Sequence, residues 1–344
     1  MKSSKNTRWV SIDVYKGIGI SLVVLGHSSL PKDVAWWIWS FHMPMFFFVS
    51  GYLFDARKFE NFFSLVKRKS SSLIRPYLFF SAIAIIFGLS TSSQPFQRFE
   101  VTQLADISCI LLIGWKGLAL WFIPVLFFTE CVYFWMSKIN NKALYFSIIL
   151  MAFFGYFLSI ERIHLPYKIE VVPTALTFYA LGNVFKESLN RVFVKINSQS
   201  LLLISLAFLL LNICFCFLNT TKFDMCFNVI GNFPFAYMSA FFGIAAMFSV
   251  SNLICRDYDL IRLPRAFLSF IGVNSLIILG VHQLLKLLAN LLIPDSTLVL
   301  TATKHIAFLF FLGFIIFVLN KYLRYFLGKN KLIINSHNSK VLHQ

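Results

Sequence analysis

Residues 13–27 read Asp13-Val14-Tyr15-Lys16-Gly17-Ile18-Gly19-Ile20-Ser21-Leu22-Val23-Val24-Leu25-Gly26-His27. The run is apolar apart from a few polar residues, and with its flanks it suits a membrane-crossing helix of about 20 residues. Lys16 and His27 are eleven positions apart. At roughly 100° per residue, that spacing gives three turns plus about 20°, so both side chains fall on one stripe about 16 Å long. Asp13 lies one turn before Lys16, at pairing distance. Gly17, Gly19 and Gly26 admit a second helix or a ligand close to the backbone. Ionisable groups at membrane depth are costly, which makes each of them a functional candidate.

The rest of the chain supports the membrane reading. Of 344 residues, 58% are hydrophobic, 42 are Phe and only 13% are charged. A water-soluble fold could not cover that much apolar surface. The formal charge of +17 would suggest nucleic acid if it lay on one solvated face. Here the cations fall between apolar runs, the pattern of a membrane protein with positive inner loops, so nucleic acid is not an expected partner. The six Cys form no CxxC pair and no His/Cys group has zinc spacing, so no metal is expected. Cys109 and Cys226 both fall on the outer side of the predicted topology, where a disulfide is chemically allowed. Lys2, Lys5 and Arg8 followed by an apolar run imitate a signal peptide. No small-x-small cleavage site follows, so the segment is expected to stay as a first span.

Ten spans are predicted, at about 14–30, 34–54, 73–90, 118–137, 143–160, 169–187, 199–218, 234–254, 268–292 and 300–326. The segment 104–114 is apolar but short, and reads as re-entrant or interfacial. With the N-terminus inside, 22 Lys and Arg fall in inner segments and seven in outer ones. That bias alternates loop by loop and returns the C-terminus to the cytoplasm. The expected fold is all-α, a polytopic membrane helical bundle of about ten transmembrane helices with both termini cytoplasmic. Residues 1–330 form one membrane domain and 331–344 a short polar tail. No internal repeat is evident, and no matching broken helices, which argues against an inverted-repeat transporter.

The second span begins Trp36-Trp37-Ile38-Trp39-Ser40-Phe41-His42-Met43-Pro44. It enters through a Trp-rich belt, and Pro44 is expected to kink a continuous helix beside His42. His42 lies about two turns below the outer interface, at a depth comparable to His27. Two imidazoles would then share one cavity open to the outside. Imidazole can take a proton from a hydroxyl at neutral pH. Cations at the inner end suit a phosphorylated donor. The competing reading is two interfacial His satisfied by water or carbonyls.

Here the sequence resembles a known family. IDVYKGIGISLVVLGHS (12–28), FHMPMFFFVSGYLF (41–54) and IRPYLFF (74–80) are similar to the opening of the acyltransferase 3 family. LWFIPVLFFTE (120–130), FYALGNVFK (178–186) and IGVNSLIILGVHQLL (271–285) continue the likeness in order. The family comprises bacterial integral-membrane acyltransferases, sugar O-acetylases among them. The resemblance implies a ten-helix domain in the bacterial inner membrane and no permanently bound cofactor. It implies acetyl-CoA or another acyl-CoA as cytoplasmic donor, and a hydroxyl of a surface glycan or lipid-linked sugar as acceptor. The family's first-helix motif, a basic residue and then His eleven positions on, falls on Lys16 and His27. Many members carry Arg at the first position, whose planar fork Lys lacks. An arginine pair often precedes the third helix; here Arg75 is carried over as a donor contact. His27 and His42 are thus the expected catalytic groups, with Lys16, Arg75 and Asp13 on the donor side.

Further polar residues fall within spans. Glu130 could pair with Arg75 or Lys16, or serve a structural ion pair. Asn274, Ser275 and His282 lie on the ninth span, with Lys286 one turn beyond His282. They either contact acceptor or join helices by hydrogen bonds. The rival functional classes are a transporter or flippase of lipid-linked sugar and a non-catalytic partner in polysaccharide assembly.

Overall fold

A computed structural model describes residues 2–28, 30–89, 119–256, 261–292 and 298–328. The predicted segment 104–114, Cys109 and the tail 331–344 lie outside these residues. Among the described residues the chain is helical, with no strand and one isolated antiparallel bridge between Asp224 and Val229.

The helices are α1 (Lys2–Gly26), α2 (Lys32–Trp39), α3 (His42–Leu53), α4 (Phe62–Lys69), α5 (Arg75–Leu89), α6 (Phe122–Met136), α7 (Asn141–Ile160), α8 (Val172–Lys195), α9 (Ser198–Leu218), α10 (Phe233–Ile254), α11 (Arg262–Val273), α12 (Ser275–Leu292) and α13 (Leu298–Tyr322). Four stretches are long and apolar enough to cross a membrane: Ala119–Met136, Asn141–Ile160, Ser198–Leu218 and Phe233–Ile254. A fifth is reached if the bent pair α11–α12 counts as one span. The protein is therefore an apolar helical, multi-pass membrane protein. Local signals start the helices. The Asn61, Asn140 and Asn197 side chains accept from the backbone N–H of Ser64, Ala143 and Ser200, satisfying first-turn donors. Pro173 and Pro234 sit in first turns of α8 and α10, where no N–H is required of them.

Two expectations of continuous helix are corrected. The second predicted span is two helices, broken at Ser40–Phe41. Pro44 does not kink a running helix; it is the third residue of a new one. The missing N–H then falls in the first turn, where it would have been unpaired anyway. The ninth predicted span likewise breaks at Asn274, between α11 and α12.

The chain forms two compact units. The first comprises Met1–Lys58 and Phe128–Leu276, the second Phe59–Phe127 and Ile277–Gln344. In the first unit α9 packs on α10, α3 on α8, and α1 on α11. Two of these pairings are backbone on backbone. A Cβ on Gly51 of α3 would fall 1.8 Å from the Tyr179 carbonyl oxygen of α8, and one on Gly182 of α8 would fall 2.0 Å from that of Phe48. A Cβ on Gly17 would meet the Leu268 oxygen at 2.0 Å, and one on Gly272 the Asp13 oxygen at 1.8 Å. Only glycine lets these helices approach so closely. Phe248 of α10 gathers Tyr15, Phe48, Tyr52 and Phe193 around its ring.

In the second unit a π-helical turn, Ser70–Ile74, leads from α4 into α5. Phe79 stacks on Phe326 at 5.2 Å. A Cβ on Gly280 of α12 would strike the Phe80 ring.

Candidate functional site

The site grows from the first helix. The Asp13 carboxylate meets the Lys16 ammonium at 2.7 Å, so the spacing read from sequence does make the ion pair. The backbones of α1 and α11 touch at Gly17 and Gly272 beside it. α1 ends at Gly26, and His27 continues the last turn by donating its N–H to the Val23 carbonyl. The Trp39 indole N–H donates to the Gly26 carbonyl at 3.1 Å. It thereby satisfies an end-of-helix oxygen next to His27. Each of the three glycines of α1 meets a different neighbour: Gly17 the α11 backbone, Gly19 the Phe46 ring, Gly26 the Trp39 indole.

His42 is buried at the start of α3. Its Nδ1 lies 2.9 Å from the Ile38 carbonyl oxygen. A carbonyl only accepts, so Nδ1 carries the hydrogen. In the neutral ring Nε2 is then the acceptor. His27 and Lys222 are the charged or chargeable groups that act on His42. The structure therefore sets the His27 and His42 imidazoles within electrostatic reach of one another. Lys222 is one of the seven cations of the predicted outer segments. Its ammonium lies over the Trp39 ring and pairs with Asp224 at 3.0 Å.

A second feature invisible in the sequence is the knot at the α2–α3 break. Asn212 of α9 is fully buried. It accepts from the Trp37 indole at 2.6 Å and donates to the Ser239 carbonyl at 2.8 Å. The hydroxyls of Ser239 and Ser40 lie at 3.1 and 3.3 Å from the same nitrogen. Nothing in the local pattern of α9 points to α2. Only the polar residue in an apolar run was available as a signal.

The other candidates each have their own surroundings. Glu130 is buried, with Tyr179 beside its carboxylate. Asn274 ends α11 and donates to the Phe270 carbonyl at 2.9 Å, while Ser275 opens α12. Arg75 and His282 belong to the second unit. Arg75 donates to the Tyr325 carbonyl at 3.2 Å and lies over that residue's ring. His282 is buried, its Nδ1 on the Ile278 carbonyl at 2.9 Å. Cys226 is a free thiol among the described residues. Burial, with Asp224 beside it, pushes that thiol up to about 12, leaving it almost wholly protonated near neutral pH and a poor nucleophile.

The chain belongs to the acyltransferase 3 family: the family's model, described as an acyltransferase domain, matches residues 9–323. The match takes in α1 from residue 9 onward, both helix breaks and all the candidate residues. No curated protein and no solved structure matches the chain.

Proposed function

We propose that this membrane acyltransferase moves an acetyl or similar acyl group from cytoplasmic acyl-CoA to a hydroxyl of a cell-surface glycan such as O-antigen, capsule or exopolysaccharide, free or lipid-linked. In this reading the chain crosses the bacterial inner membrane ten times with both termini cytoplasmic. The observation that carries it is that His27, which acts on His42, follows the end of a helix whose middle turn holds the Asp13–Lys16 ion pair.

Acyl-CoA docks from the cytoplasm with its phosphates at Lys16, and Asp13 orients Lys16. The pantetheine arm follows the α1 stripe toward His27. His27 takes the proton of the acceptor hydroxyl as the oxygen attacks the thioester carbonyl. The new C–O bond forms and the C–S bond breaks. The departing CoA thiolate recovers the proton from the His27 imidazolium. Nε2 of His42, aimed by the Ile38 hydrogen bond, accepts from a neighbouring hydroxyl and orients the sugar. A covalent acyl-His27 intermediate is the alternative sequence, with the acyl group passing first to imidazole and then to the sugar.

The test is acetyl-CoA labelled in its acetyl group, supplied to the cytoplasmic face of vesicles that also hold acceptor. Label on glycan, lost in His27→Ala at unchanged protein level, is the expected result; label retained in that variant overturns the mechanism. The helix breaks at Ser40–Phe41 and Asn274 are also what a transporter of lipid-linked sugar would use. That reading predicts sugar movement without acyl donor. A non-catalytic assembly partner predicts neither label nor movement.

A further inference from the structure

The α2–α3 break carries His42, and an unbroken helix would not leave it where it is. Its imidazole hydrogen goes to the Ile38 carbonyl in the last turn of α2. Whatever sets that turn sets the direction of the carbonyl, and through it which ring nitrogen is left to accept. The turn is held on both sides of Ile38. Trp37 donates its indole N–H to Asn212 Oδ1, and Ser40 presents its hydroxyl to Asn212 Nδ2. The Ser40 hydroxyl also donates to the Trp37 carbonyl at 2.8 Å, closing the loop.

The orientation of the Asn212 amide is itself determined. Its nitrogen faces the Ser239 carbonyl oxygen, a pure acceptor, and its oxygen faces the Trp37 indole, a pure donor. A flipped amide would set oxygen against oxygen and N–H against N–H. Ser239 answers by donating to the Asn212 backbone carbonyl at 3.2 Å. Every polar atom of this side chain is therefore used, and α9, α10 and α2 are tied at one point. A buried amide in an apolar helix is expensive unless fully bonded. Here it is bonded to the irregular turn next to His42, a candidate site residue.

We infer that Asn212 is a positioning residue for His42: it holds the α2–α3 break so that the Ile38 carbonyl selects the Nδ1–H form and leaves Nε2 facing the acceptor. The inference rests on His42 belonging to the acceptor side, as proposed above, but its structural half can be tested without acyl transfer. The protein, labelled with 15N-histidine and held in nanodiscs, reports the tautomer of each imidazole, and His42 is assigned by the signal lost in His42→Ala. In the unaltered protein His42 is expected as a single Nδ1–H form with Nδ1 hydrogen-bonded. In Asn212→Ala that signal is expected to broaden into a mixture of both tautomers. Transfer turnover should fall about 10- to 100-fold, the cost of a small misplacement, with the acyl-CoA KM unchanged. The double variant Asn212→Ala/His42→Ala should be no slower than His42→Ala alone.

If Asn212→Ala does not fold, Trp37→Phe removes a single donor, keeps a ring against Phe41 and carries the same readouts. An unchanged His42 signal in the folded variant overturns the inference, as does an Nε2–H form in the unaltered protein. So does a double variant in which the two losses simply multiply. A protein that shows the tautomer response but transfers no acyl group leaves the positioning intact and removes the proposed reaction instead.

Discussion

Helices α9 and α10 lie side by side, yet they answer to different surroundings. α9 is the more apolar, but only 22% of its span is buried, against 50% for α10. Leu202, Leu203, Leu206 and Leu210 of α9 are exposed, while Ser205 and Asn212 face inward. In a water-soluble protein this helix would be inside out. In lipid the most apolar face belongs outside, and the interior can be small and polar. The contrast sharpens at the crossings α3–α8 and α1–α11. There glycines replace large side chains and backbones touch. The proposed chemistry draws on that small-residue interior, not on the helices that make the chain so apolar.

If this division is right, substitutions should lose effect steadily from interior to lipid face. His27→Ala should cost most: a general base is worth roughly 100- to 10,000-fold, read as label transferred to glycan per unit of folded protein. An interior substitution without chemistry, Gly272→Val, should come next. Its side chain would meet the Asp13 carbonyl oxygen, so α1 and α11 must separate. The expected cost is about 3 kcal/mol or more by overpacking, seen as lost thermal stability and a broadened gel-filtration peak in detergent. Lys16→Ala should raise the acyl-CoA KM about tenfold, the value of one charge-assisted hydrogen bond, with turnover little changed. Lys16→Arg should keep the donor affinity of the unaltered protein. A KM that does not move in Lys16→Ala detaches the ion pair from donor binding.

The smallest effects belong to the lipid face. Leu203→Ala in α9 should change stability by no more than about 0.5 kcal/mol, the usual range for surface positions. Gly313→Ala in α13 should be equally silent, since an added Cβ there meets no neighbouring atom of the described residues within 4 Å. A large loss at Leu203 would mean that α9 is covered by another protein, and the comparison between the two faces would fail.

Much of this was legible in the residues. Hydropathy and charge alternation located helical segments because a bilayer demands long apolar runs and positive inner loops. The Asp13–Lys16 ion pair followed from helical spacing alone. The ordered motifs carried the family. What spacing could not show was that the second and ninth apolar runs each break. Apolar length is the same for one helix or two, and Pro44 reads equally as a kink or as a first-turn residue. Nor could it show that Asn212, 170 positions beyond His42, would anchor the turn that aims it. That hydrogen bond exists only because α9 packs between α2 and α10. Local covalent order thus decided which segments are helical, which ions pair within a turn, and which family the chain belongs to. Tertiary packing alone decided where the helices stop, which glycines carry crossings, and which nitrogen of His42 is left to accept, because each depends on atoms that meet only when distant segments close on one another.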